Sequence, residues 1–386
     1  MRLIKAYCFM VTLSLVTTTA LAQWVDPLQT PAQTSAKAHT ALLLDITQAG
    51  ERLVAVGAFG HILYSDDQGA SWQQAQVPVS VTLTAVSFAD ARHGWAVGHD
   101  GIILATEDGG LNWRKQLDGF VANDAMVEAS ERLLSQAEAA LASLEETDER
   151  NEEALEEAEI VLETAMFAVE DAEYDVSIGS TKPLLDVLFL DDKHGLAVGA
   201  YGMAFETHNG GDSWSEFTSR LPLTERSHLN SLTQAAYGQL FIVGEMGLIL
   251  TSTDNGDSWQ ALESPYDGSL FGMISSANQL TLMGLRGHLF QSTDAGAHWR
   301  ELALDNEQTL FQGLAMDNGS RVLVGNSGTV ILLDNQATQI INLAGRKGVA
   351  ALAAVEEGFV LVGEVGIQRI NRRGELISAA RIVEAQ

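Results

Sequence analysis

The sequence predicts an all-β fold, a seven-bladed β-propeller with Asp-box turns and an α-helical hairpin inserted between blades 2 and 3. Three observations predict it. A phrase containing G-x-x-G returns seven times along the 386 residues. In its better-kept copies the phrase runs into the turn motif [ST]-x-D-x-G-x-x-W. One interval between copies is about 60 residues too long, and it is filled by a segment without glycine or proline.

The repeat sets the architecture. The first glycines of the G-x-x-G copies are Gly57, Gly98, Gly199, Gly244, Gly284, Gly325 and Gly363, at spacings of 41, 101, 45, 40, 41 and 38. Each unit reads as four short strands, A to D. In the second, Leu83 to Phe88 is A, Gly94 to Val97 is B, Ile102 to Thr106 is C and Trp113 to Gln116 is D. Val, Ile, Leu and Ala fill these runs, and Gly or Asp punctuates them. The G-x-x-G between B and C fits a two-residue hairpin turn. Four strands per unit of roughly 40 residues, repeated radially, make a propeller, because each small sheet buries its faces only against its neighbours. Residues 23–120 form blades 1 and 2, and 180–386 form blades 3 to 7. Either Leu376 to Ile382 or the residues around Trp24 to Leu28 can supply the strand that closes the ring.

The turns after strand C are the Asp-boxes. Their key residues are Asp67 and Trp72, Asp108 and Trp113, Asp254 and Trp259, and Asp294 and Trp299; the third box has Asn209 with Trp214. The chemistry is structural. The Asp or Asn side chain bonds its own turn, a glycine takes positive φ, and the tryptophan buries against the sheet. Calcium ligation by Asp254 and Asp257 is the functional alternative.

The insertion, residues 121–179, is rich in Ala, Glu and Leu, strong helix formers. Leu155, Ala158, Leu162, Ala165, Val169 and Ala172 step by three and four, the seam of an antiparallel coiled coil. Met126, Ala129, Leu133, Ala137, Ala140 and Leu144 give a looser matching stripe. The chain must go out and return, with its tip near Glu146 to Asn151. As a D–A connection, the hairpin rises from the same face as the B–C turns, and the Asp-boxes lie on the other. The B–C tips are expected around the channel mouth: Ala58-Phe59, His99-Asp100, Ala200-Tyr201, Glu245-Met246, Leu285-Arg286, Asn326-Ser327 and Glu364-Val365. Phe59, Tyr201, Met246 and Leu285 put apolar groups where turns are normally polar. Together with Glu145, Glu146, Asp148, Glu149, Glu152 and Glu153 at the hairpin end, these tips form a candidate partner surface.

Charge narrows the partners. The chain holds 51 acidic and 22 basic side chains, a net −29. Such a chain repels phosphate, which argues against nucleic acid. Residues 122–176 carry 18 acids and two bases, so about half of the acidity sits on one arm, suited to steering toward a basic surface. At the N-terminus, Arg2 and Lys5 precede an uncharged apolar stretch that ends in Ala20-Leu21-Ala22, a cleavable export signal over residues 1–22. The single cysteine, Cys8, lies inside it, so the exported chain has no thiol chemistry and a periplasmic address is expected. No later segment reaches membrane-spanning length. No catalytic, cofactor or metal motif is recognised. His93 and His194 occupy matched D-x-x-H-G turns, explained by the repeat.

The phrase from Gly94 to Trp113, GWAVGHDGIILATEDGGLNW, resembles the photosystem II stability/assembly factor family of BNR-repeat propellers. The resemblance covers nearly all of Leu42 to Ile382 apart from the insertion. It implies a non-enzymatic scaffold or assembly factor that binds a membrane protein. In the non-photosynthetic branch it implies an exported accessory protein, with an inner-membrane partner such as an RND-type exporter of hydrophobic compounds or its periplasmic domain. The family's arginine-rich partner patch has no counterpart here. The alternative is a glycan-binding or glycoside-hydrolysing, sialidase-like propeller; Arg220-Leu221-Pro222 has the letters of the sialidase R-[IL]-P motif but follows the third Asp-box. A solute- or lipid-handling propeller is a third reading.

Overall fold

The computed structural model describes residues 25–146, 151–223, 225–235, 238–277, 279–334, 337–379 and 381–383. The expected export signal over residues 1–22, Trp24, and the hairpin-tip residues Asp148 and Glu149 lie outside the described residues.

The described residues form seven antiparallel four-stranded sheets in sequence order, one of which gains a fifth strand. Their A strands are Leu43–Ala49, Leu83–Phe88, Leu184–Phe189, Leu229–Gln234, Leu270–Ser276, Leu310–Ala315 and Val349–Val355. Each A strand packs against the A strand of the next sheet, and the last packs against the first, so the arrangement is a closed, propeller-like ring. The hydrophobic core divides accordingly into seven clusters, one at each interface between neighbouring sheets. That division explains why the repeat is obligatory: one sheet alone leaves both faces wet.

Ring closure, left open by the sequence, uses the C-terminus. Leu376–Ala379 is the D strand of sheet 7, and Arg381–Ile382 then adds parallel to Ser71–Trp72 at the edge of sheet 1. The N-terminal segment is a strap. Leu28 sits in the core between sheets 1 and 2, and Ala38 in the core between sheets 7 and 1.

The G-x-x-G turns differ from expectation by one position. In six of the seven the residues with positive φ are the second x and the second glycine, for example Phe59 (60°) and Gly60 (69°), which makes a type I′ turn centred there; in the seventh Gly363 pairs with Gly366 across the two-residue tip that the spacing predicts. The first glycine serves another purpose. Gly57 is extended, and a Cβ there would stand 2.3 Å from the Leu42 carbonyl oxygen, so it permits close approach to the start of strand A. Every A strand carries a register shift at that point, a bulge at its second residue.

Two helices separate the D strand of sheet 2 from the A strand of sheet 3: α1, Gly119–Glu145, and α2, Glu152–Ile178. The Asp118 carboxylate caps α1 by accepting from the Phe120 and Val121 amides, and Asn151 caps α2. At 1.5 Å per residue each arm is ~40 Å long. The helices pack along one another with Ala129 and Ala137 buried on α1 and Ala165 and Ala172 on α2, while Ala122 packs into the core between sheets 2 and 3. The expected seam holds on α2. On α1 Leu133 and Ala140 are exposed and the next residues, Leu134 and Leu141, are half-buried in their place, so that part of the stripe is displaced by one residue.

Candidate functional site

The type I′ geometry decides which tip side chains are presented. At four tips the positive-φ residue points outward: Phe59 and Met246 are each 67% exposed, Tyr201 is 48% exposed and Arg286 is exposed, whereas Asp100 and Ser327 are half-buried. Leu285, which precedes the positive-φ Arg286, is half-buried, so it is not the fourth apolar tip that the sequence suggests. The two-residue tip at Glu364-Val365 leaves both side chains exposed, although Glu364 accepts from the Gly348 amide at 3.0 Å. Glu245 is likewise tied down, accepting from the His228 amide at 2.9 Å. His99 and Asn326 are exposed and Asp100 half-buried.

The structure brings the tips of sheets 2 and 3 together with the base of the hairpin. The Ser180 hydroxyl donates to the Asp100 carbonyl at 2.7 Å, and Gly119 lies against the same turn. Beside them is an ionic clamp. Asp175 on α2, with a 9% exposed side chain, accepts from Lys182 and from Arg226, the latter at 2.8 Å; Arg226 also reaches Asp171 at 2.9 Å. Lys182 and Arg226 both lie over the Tyr201 ring, and His228 meets its edge at 4.7 Å. Burial pushes the Lys182 ammonium below its ordinary value, against the pull of Asp175. Asn123 on α1 donates to the Asp175 and Gly179 carbonyls, tying both helices at the base. The arm is therefore held in one direction relative to the tips.

At the far end Glu145, Glu146, Glu152 and Glu153 are exposed. The sequence reading missed an exposed apolar stripe on α2, Ile160, Phe167 and Tyr174, at 57%, 59% and 64% exposure. Their seven-residue spacing was a visible signal, masked by the parallel alanine and leucine seam. The arm thus offers apolar groups among its carboxylates.

The Asp-box side chains are occupied within their own turns. Asp67 accepts from the Ser65 hydroxyl and from the Ser71 amide and hydroxyl, and Trp72 donates to the Gly69 carbonyl at 3.0 Å. Asp108 with Trp113 repeats the pattern, as does Asp254 with Trp259. Asp294 accepts from Ser292 and His298, and Asn209 serves the third box equally well. Two tryptophans depart from the rest: the Trp214 indole donates to Gln116 of the neighbouring sheet, and the Trp299 indole nitrogen is buried without a hydrogen-bond partner. Hydrogen bonds from Ser258 and His298 hold Asp254 and Asp294 down at about 2.

The A strands line a central cavity of about 260 Å³. Two carboxylates the sequence reading did not single out stand there. Asp45 accepts from the Val86 amide of the next sheet at 2.9 Å and from Gln312, across the ring, at 3.1 Å. Asp186 accepts from the Leu232 amide of its next sheet at 2.7 Å. Both are half-buried among the A strands that line the cavity, and burial raises Asp45 to about 7, with repulsion from Asp186 adding to it, and Asp186 to about 6. The clue was an acid inside an apolar A strand, LLLDIT and LLDVLF.

Among known proteins, the chain matches the family described as photosynthesis system II assembly factor YCF48 over residues 64–132 and 168–333. It is 38% identical over 78 residues to the photosystem II assembly lipoprotein Ycf48 of Synechococcus sp. (strain CC9902), covering 20% of this chain and 23% of that protein. It is 42% identical over 48 residues to the chloroplastic photosystem II stability/assembly factor HCF136 of Cyanidioschyzon merolae, covering 12% and 11%. The aligned stretches thus span under a quarter of these curated relatives. Among solved structures, YCF48 bound to D1 peptide is similar with a TM-score of 0.57 at 16% identity, covering 85% of this chain and 92% of that one. YCF48 from Cyanidioschyzon merolae gives 0.56 at 13%, covering 87% and 96%. At these identities the structures speak to the fold. Among the described residues, no helix is long and apolar enough to cross a membrane.

Proposed function

The chain belongs to the photosynthesis system II assembly factor YCF48 family, and from that premise we propose that it is a non-enzymatic scaffold or assembly factor for a membrane protein. The partner docks on the face shared by the B–C tips and the helical hairpin. The observation that carries this reading is the clamp of Asp175, Lys182, Arg226 and Tyr201, which aligns the arm with the tips of sheets 2 and 3. A rigid arm holding exposed Ile160, Phe167 and Tyr174 amid carboxylates suits a partner with both basic and apolar surface. The peptide held by the similar YCF48 structure lends support to a membrane-protein partner.

The finer reading is an exported, periplasmic accessory of an inner-membrane transporter, such as an RND-type exporter, with the seven sheets acting as seven blades. The sialidase-like alternative draws little support from Arg220, whose guanidinium is paired with Glu206 and packed over Phe217 in sheet 3.

The test is affinity capture from native membranes with the tagged chain and with a variant lacking residues 122–176. Gly119 and Ser180 are in contact, so a short turn can close the deletion, which removes Ala122 from the core between sheets 2 and 3 and leaves the rest of the ring in place. Capture of a transporter by the full chain, lost on deletion, is the expected result. Capture that survives deletion refutes the arm's role, and hydrolysis of aryl glycosides would favour the enzymatic alternative.

A further inference from the structure

Sheet 3 carries a group of side chains that neither the repeat nor partner docking requires. His194 stands in its A–B turn, Glu206 in its C strand, Ala204–Thr207, and His208 directly after that strand. Their donor atoms all lie within 4.8 Å of one another. The two imidazoles face at 4.4 Å between centroids, and His208 Nε2 is 3.6 Å from the Glu206 carboxylate.

The matched turn of sheet 2 provides an internal control. There the ring of His93 is bonded by Asp90 of its own turn, Nδ1 to Oδ2 at 2.8 Å. In sheet 3 the corresponding Asp191 takes only the backbone amides of Lys193 and His194, and the His194 ring turns toward His208. Its Nε2 is buried and has no hydrogen-bond partner. A buried ring nitrogen without a partner costs free energy unless something binds it. The repeat does not demand the set. At the positions of Glu206 and His208, the other Asp-box units carry Tyr64 and Asp66, Ala105 and Glu107, Thr251 and Thr253, and Gln291 and Thr293.

We propose that His194, Glu206 and His208 bind a borderline transition-metal dication of the Zn²⁺ class. Two imidazoles and one carboxylate are a known ligand chemistry for such ions, which leaves the fourth tetrahedral position to water or to a partner's donor. Exposed His208 marks the open side. Arg220 donates to the Oε2 oxygen of Glu206, orienting the carboxylate. Its positive charge opposes any dication equally, so selectivity rests on the two imidazoles. Mg²⁺ and Ca²⁺, which prefer oxygen ligands throughout, are disfavoured by this donor set.

The experiment is isothermal titration of the chelator-treated full chain with ZnCl₂, repeated with CaCl₂, together with thermal unfolding in each ion. The expected result is saturable binding of one Zn²⁺ per chain, a raised unfolding midpoint with Zn²⁺ and no matching saturation with Ca²⁺. His194→Ala and His208→Ala lose that binding while keeping the circular dichroism of the native chain, and His93→Ala retains it. Absence of saturable Zn²⁺ binding overturns the proposal. So does binding that survives both sheet 3 substitutions, or equal binding of Ca²⁺.

Discussion

Acidification from about pH 8 to pH 5 should stabilise this protein, because its ring encloses two carboxylates that fold more readily as neutral acids. Burial moves Asp45 from 3.8 to about 7 and Asp186 from 3.8 to about 6. A raised carboxylate contributes stability that is fully present below the unfolded value and is lost as pH rises through the folded one. Between those limits the native state holds protons the unfolded chain has released, so unfolding free energy falls with rising pH. Integrated over this window at about 1.4 kcal/mol per unit, Asp45 accounts for ~2–3 kcal/mol and Asp186 for ~1–1.5 kcal/mol. Because repulsion from Asp186 forms part of the Asp45 shift, the two overlap and the total is ~3–4 kcal/mol. The depressed groups Asp90, Asp254 and Asp294, at about 2, stay ionised throughout this range and act only as pH falls below 3.8. Relief of general repulsion in so acidic a chain has the same sign, whereas His61 and His194, both lowered by burial, oppose it as they protonate, so the variant arm is decisive. Urea unfolding of the native chain should show a higher midpoint at pH 5 than at pH 8, and Asp45→Asn with Asp186→Asn should remove most of that difference. A midpoint that is level or higher at pH 8, or a slope that the double variant keeps, refutes the reasoning.

Two further predictions concern the ring and the arm. Trp259 is buried, stacks near Phe217 and donates to Gly256, so Trp259→Ala should cost ~3–5 kcal/mol in thermal or urea unfolding while partner capture at low temperature persists. Asp175→Ala leaves Lys182 without its carboxylate in a nearly closed site. Arg226, 41% exposed, can turn to water, so the loss falls below the ~3–5 kcal/mol of a fully buried pair, at ~2–3 kcal/mol. It should appear as faster amide exchange and proteolysis at residues 119–123 and 175–182, with the ring's unfolding little changed.

How much was legible in the sequence depended on range. The A strand Leu83–Phe88 of sheet 2 was read to the residue and its other strands to within one, because apolar runs punctuated by glycine are a local signal. Both helices were legible for the same reason: helix propensity and the absence of glycine and proline act over a few residues. The tip turn was displaced by one residue because spacing alone does not tell a glycine needed for close approach, Gly57, from one needed for positive φ, Gly60. Leu285 was consequently assigned an outward position that Arg286 takes.

By itself, then, the sequence determined a sevenfold repeat of four-stranded units, the self-contained chemistry of its Asp-boxes and a long acidic helical excursion. Each is written in residues near one another along the chain. Only the tertiary structure decided that Asp45 meets Gln312 across the ring, that Asp175 lies between Lys182 and Arg226, and that the His194 ring turns to His208 instead of its own turn. It also decided that Arg381–Ile382 closes onto Ser71–Trp72. These contacts join distant segments, and their energetics come from enclosure. Desolvation and unmet hydrogen bonds are properties of a site, not of the residues that line it.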